Sequence, residues 1–253
     1  MSKKTDTLEF CAQKFRDNNE ISSNEPIRLK SILQKNSILT VYRKLDSSFS
    51  GMSIKIGDGE NCKRFILVNS EHSIGKQHFT ICHEIYHLYY QKDFSSALSC
   101  TGKFDKTGNP EEYDADMFAA YLLLPRWGVW EFIPEKERSK NKISISTVLA
   151  IEHYYSCSRT ALLHRLSELG LIDDIYKSQF LSDIKNQARK LGYSVDLYEK
   201  GNDNLVVGNY GTLAFQAWEK GIISESTYFS FLQDIGIDIS KIDENDTDNG
   251  CSE

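Results

Sequence analysis

Apolar positions recur at helical spacing from the start of the chain. Leu8, Phe10, Cys11 and Phe15 share one side of a predicted helix over residues 6–18. A second helix is expected from about Asn24, which can cap it. Pro26 stands near its first turn, and Ile27, Leu29, Ile32 and Leu33 supply an apolar face. The pattern then becomes that of strands. Residues 38–42 are β-branched and apolar, residues 52–56 alternate, and residues 65–68 form a short apolar run, with Asp58-Gly59 as a turn signal between the last two. Helical periodicity returns over 77–90. A polar loop covers 91–110, and a further helix over 111–124 must stop at Pro125.

The remainder predicts two short helices within 143–170, around a turn at 156–158 and ended by Gly170. A helix over 178–192 follows, then strands at 193–197 and 205–207 and a mostly helical stretch over 211–235. Helices, then a small sheet, then helices again make an α+β fold, the sheet packed on helices with a helical C-terminal extension. Four regions are expected: 1–140, 141–174 with a helix-turn-helix-like pattern, a small α+β region over 175–240, and a disordered acidic tail over 241–253.

Composition narrows the classes. The 253 residues are 40% hydrophobic and 26% charged, as in a soluble globular protein with a real core. The net charge of -6 tells against a nonspecific grip on nucleic acid, which shows as a basic excess. The start, MSKKTDTLEF, has no apolar run behind its lysines, so no signal peptide is expected, and no apolar stretch is long enough for a membrane span. Six scattered cysteines without a C-x-x-C pair fit reduced thiols in a cytoplasm and argue against a zinc site built from cysteines.

The chemistry is concentrated in His83-Glu84-Ile85-Tyr86-His87, an H-E-x-x-H motif. On a helix, residues four apart share a face, so His83 and His87 can both reach one zinc ion. Glu84, offset around the helix, is placed to act as general base rather than ligand. Zinc held there would polarise a scissile carbonyl and activate water. The flanking residues 79–82 and 88–90 are uncharged, as a buried helix requires. A catalytic zinc wants a third protein ligand. The next helix offers Glu111, Glu112, Asp114 and Asp116. Glu112 and Asp116 are i and i+4, so one can bind the metal while the other orients a ligating imidazole.

The segments FILVNS…GKQHFTICHEIYHLYY and EEYDADMFAAYLLLP resemble the ImmA/IrrE family of bacterial and phage zinc metallopeptidases. Those proteins pair an H-E-x-x-H helix with an E-x-x-A-[ND]-x-F-A-x-x-L-L-x-P helix. The resemblance implies a zincin-like pair of active-site helices in 1–140, Glu112 as third ligand and Asp116 as the residue behind a ligand. It covers roughly 25–170, including SCSRTALLHRLSELGLI, which is similar to a helix-turn-helix-like tail. Tyr86 stands where many members have glycine, and the N-terminal DNA-binding domain of some members is not seen here. The partner implied is a helix-turn-helix repressor cleaved to control gene expression, often on mobile elements.

Two other readings stand beside this one: a DNA- or protein-interaction module on a peptidase scaffold, with 143–172 touching DNA, and a metal-binding regulator that does not cleave. The first is not favoured. Arg159, His164 and Arg165 are offset by Glu152 and Glu168, and no strong basic patch results. His72 and His78 are not expected to be ligands, and Cys82 reads as a buried structural thiol. The strand at 65–68 is expected to offer an edge for main-chain pairing with an extended peptide.

Overall fold

The computed structural model describes residues 3–237 and 239, apart from 58, 60, 61, 93, 100 and 106, and only the backbone of residues 3, 4, 97 and 98. The acidic tail at 241–253 lies outside the described residues.

The helix predicted at the N-terminus is α1 (Lys3–Asn18). The second helix begins later than expected: α2 spans Leu29–Lys35, and the chain around Pro26 stays irregular because residues before a proline disfavour helical backbone. Three strands follow, β1 (Ile38–Arg43), β2 (Gly51–Ile56) and β3 (Lys63–Asn69). The loop expected over 91–110 contains a further strand, β4 (Ser96–Ser99), too short and too polar to show an alternating pattern. The mixed sheet is five-stranded, in the order β4-β2-β3-β1-β5, where β5 is Val206–Val207. β3 pairs parallel with β1 and antiparallel with β2, so it is central and offers no free edge, contrary to expectation. The outer edges of the sheet belong to β4 and β5.

Alternation sorts the two faces. Thr40, Ser53 and Ile66 lie in one cross-strand row, fully buried against the helices, while Leu39, Ile54 and Phe65 occupy the adjacent row on the other face and are only half-buried. On the buried face lies α3 (Ile74–Tyr89), whose residues from Phe79 to Leu88 are all buried. A helix without a solvent face belongs inside a core. α4 (Pro110–Leu123) packs along α3. Asn109 caps it by accepting from Glu111 N at 3.0 Å, and Pro110 occupies the first turn, where its missing N–H costs nothing. α1 covers the far side of α4. Arg16, fully buried, fastens the two by donating to Leu122 O at 2.8 Å and Ser22 O at 2.7 Å.

After α5 (Arg126–Phe132), which the sequence pattern did not suggest, α6 (Ile145–Tyr155) and α7 (Arg159–Glu168) flank a turn in which Ser156 has φ 52°. Ser144 and Ser158 cap them through Thr147 N and Ala161 N, and Gly170, φ 75°, ends the second. The side chains considered for nucleic acid are spent internally. Arg159 pairs with buried Glu152, Arg165 pairs with Glu9 and Glu168, and His164 stacks on Phe104 at 3.6 Å.

The helix expected over 178–192 is shorter, α9 (Ile184–Lys190), and a further short helix, α8 (Asp174–Ser178), precedes it. The strand expected at 193–197 is a turn instead. The chain then straps onto the sheet and α3: Ile74 N donates to Glu199 O, Tyr42 N to Leu205 O (both 2.9 Å) and Gln77 Nε2 to Gly201 O (3.0 Å). α10 (Tyr210–Glu219) and α11 (Glu225–Asp234) form a final hairpin. No helix among the described residues is long and apolar enough to cross a membrane.

Candidate metal centre

One helical turn separates His83 from His87, and α3 turns both rings toward α4. Their Nε2 atoms stand 3.1 Å apart. Glu112, in the first turns of α4, brings Oε2 to 3.2 Å from His83 Nε2 and Oε1 to 3.5 Å from His87 Nε2. Among the described residues these three side chains form a group that could hold a metal ion. The histidines are buried and Glu112 is about one-third exposed, so the centre opens to solvent past the glutamate.

The far side of each ring is anchored. His83 Nδ1 donates to Asp116 Oδ1 at 2.9 Å, and His87 Nδ1 to Gln91 Oε1 at 2.5 Å. With the protons on Nδ1, both Nε2 lone pairs face the same point, an arrangement that repels unless a cation sits between them. The spacing suits zinc. A tetrahedral ion with bonds of about 2.0–2.1 Å separates its ligand atoms by about 1.6 bond lengths, or about 3.3–3.4 Å, close to the distances observed. The donor set, two imidazoles and a carboxylate, is also one that zinc accepts.

The charges around the two rings shift their titration in opposite directions. Burial opposes charge on His83, but Asp116, Glu112 and Glu84 outweigh it and push its pKa up to about 10. Burial and the adjacent His83 charge hold His87 down at about 4. Burial also raises the Glu112 carboxyl, yet His83 and His87 bring its pKa below the ordinary value.

Asp116 accepts from His83 and also from the backbone N–H groups of Gly102 and Phe104, both at 2.9 Å, so the same carboxylate fixes a ring and the 101–104 loop. Glu111, an alternative ligand by sequence, instead accepts from the Tyr86 hydroxyl at 3.1 Å. The bulky residue within the motif thereby gains a partner. His78 Nδ1 donates to Ser156 O and His72 Nε2 to Ser47 O, both away from the cluster.

Glu84 projects from α3 toward β2. Ser53 donates to its Oε2 at 2.6 Å, while Oε1 is buried without a hydrogen-bond partner among the described residues. Burial raises the Glu84 pKa, with His83 and the nearby hydroxyls of Ser53 and Ser99 opposing. Gly51 lets the strand come this close: a Cβ there would stand 2.5 Å from Thr80 Cγ2 and 3.3 Å from Glu84 Oε1. Sequence reasoning missed three supporting residues. Gln91 was within reach of sequence reasoning, four positions after His87 and just past the end of α3. Ser53 and Gly51, some thirty residues upstream in a strand, gave no signal.

A sheet backing an H-E-x-x-H helix, with a glutamate from the next helix closing on the two histidines, defines a metallopeptidase-like scaffold. Residues 35–167 match the IrrE N-terminal-like domain, a peptidase family, and the chain belongs to that family. The match reaches from the end of α2 through α7 and includes the whole metal-compatible cluster. A comparison with curated proteins finds no match.

Proposed function

We propose that the protein is a zinc-dependent endopeptidase of the cytoplasm, hydrolysing a specific peptide bond in a partner protein to control gene expression. The observation that carries this reading is the convergence of His83, His87 and Glu112 beside a buried Glu84 whose Oε1 has no hydrogen-bond partner among the described residues. The partner that the family resemblance points to is a helix-turn-helix repressor.

His83, His87 and Glu112 are the residues that would hold the ion, with Asp116 and Gln91 orienting the rings. Zinc bound there would supply a Lewis acid for the scissile carbonyl. Glu84 takes the proton of the attacking water on Oε1 and returns it to the leaving amine, while Ser53 keeps Oε2 fixed. A raised carboxyl pKa suits both halves of that transfer near neutral pH. The extended substrate pairs with the outer edge of β4, the strand that borders β2 beside Glu84. The reading as a DNA-binding module has little support, because Arg159 and Arg165 are committed to buried ion pairs.

The test is zinc per chain by mass spectrometry, on wild type and on His87→Ala purified without chelator. About one zinc in wild type, lost in the variant, supports the site. Well-folded wild type that takes up no zinc overturns it. Glu84→Gln then separates cleavage from binding: it keeps zinc and fold and leaves a candidate repressor intact. Normal action of Glu84→Gln on that repressor would leave only a non-cleaving metal-binding regulator.

A further inference from the structure

The face of the sheet that α3 does not cover carries a cavity of about 910 Å³. Its apolar part consists of Leu39, Ile54 and Phe65, adjacent in the cross-strand register, roofed by Tyr210 and Leu213 of α10. None of these residues belongs to the metal cluster or to Glu84's surroundings. The volume lies within the range of sites for small organic ligands, about 300–1,000 Å³.

Polarity is graded along the cavity. At the end of the sheet where β1 and β3 begin, its walls include Lys35, Lys63 and Arg64, and the described lining residues contain no carboxylate. Lys35 pairs with the exposed Glu20 at 2.9 Å. Lys63 and Arg64 form no ion pair with a described residue. The Arg64 guanidinium lies 4.6 Å from the centre of the Tyr89 ring, and its Nε is buried without a hydrogen-bond partner among the described residues. A cation held against an aromatic ring at the mouth of an apolar cleft is arranged for a ligand with an anionic end. The apolar floor and roof ask for an aliphatic or aromatic body behind it.

We propose that this cavity binds a small amphipathic organic anion, its apolar body between the sheet and α10 and its carboxylate, or an equivalent group, against Arg64 and Lys63. This site is separate from the metal centre, so its failure would leave the peptidase reading untouched. Leu213 is half-exposed, so filling the cavity from that position does not disturb the core.

The experiment is calorimetric titration of the full chain with sodium dodecanoate below its micellar concentration. Parallel arms use dodecanol, which has the same body without the charge, and sedimentation with anionic phospholipid vesicles. Saturable binding of one dodecanoate per chain is expected, with dodecanol weaker by about tenfold or more. Arg64→Gln should weaken dodecanoate about tenfold, Leu213→Trp should abolish binding, and His87→Ala should leave it unchanged, each variant showing the wild-type circular dichroism spectrum. Absence of saturation in wild type overturns the proposal. So does equal binding of dodecanol, or binding indifferent to both cavity variants. Association with vesicles but not with dodecanoate would also overturn it, in favour of a lipid surface.

Discussion

His83 Nδ1 and Asp116 Oδ1 meet at 2.9 Å across the α3–α4 interface, and that bond turns the lone pair of His83 Nε2 toward His87 and Glu112. Asp116→Ala should therefore weaken zinc without removing a ligand, by about 10–100-fold. Competition with a chromophoric chelator measures it. Affinity equal to wild type would show that the ring is held without the carboxylate. Because Gly102 N and Phe104 N lose their acceptor too, the variant should also melt earlier than wild type.

The strap over residues 199–207 supplies an edge strand and closes the hydrogen bonds of Ile74, Gln77 and Tyr42. A chain ending at residue 195 should be markedly less stable than the full chain even though it retains the whole matched family domain. Gln77, fully buried, loses the carbonyl of Gly201 and the amide of Asn202. Thermal unfolding of the two chains decides this. Equal melting temperatures would mean that the strap is an appendage.

Glu152 and Arg159 form a buried ion pair joining α6 to α7, and Tyr198 adds its hydroxyl to Glu152 at 2.7 Å. Removing one partner strands the other charge in the core. Glu152→Ala should cost roughly 3–5 kcal/mol in urea unfolding. The double replacement Glu152→Met with Arg159→Leu should recover much of that loss, since an apolar pair leaves no orphaned charge. Equal destabilisation by the single and double variants would count against the ion-pair explanation.

Glu9 links α1 to Arg165 and Arg126. Burial raises its carboxyl, but the two arginines outweigh it and depress its pKa below 4.5. A depressed carboxylate contributes stability above its unfolded pKa and loses it as pH falls through the lower folded value. Wild type should thus exceed Glu9→Gln by roughly 1 kcal/mol at pH 7, a modest figure because the carboxylate is partly solvent-screened. The gap should close as the pH drops well below 4.5. A gap that stays constant with pH would assign the effect to packing.

The sequence by itself determined the motif helices. His83 and His87 had to share a face because a helix repeats every 3.6 residues, and the uncharged flanks required that helix to be buried. The α+β class, the stop at Pro125 and the turn at Ser156 were likewise local consequences of periodicity and backbone chemistry. Glu112 could be separated from Glu111, Asp114 and Asp116 only by family resemblance, since local spacing left more than one carboxylate available. Tertiary structure decided everything that depended on long-range pairing. It placed β3 in the middle of the sheet and left an outer edge to β4, which the four residues Ser-Ala-Leu-Ser were too short to announce. It brought Ser53 and Gly51 beneath Glu84, turned Arg159 and Arg165 inward, and laid the 199–207 strap against α3. Helical periodicity is written in neighbours a few residues apart, whereas a strand's partner and a charge's partner are chosen by which segments the shared core brings together.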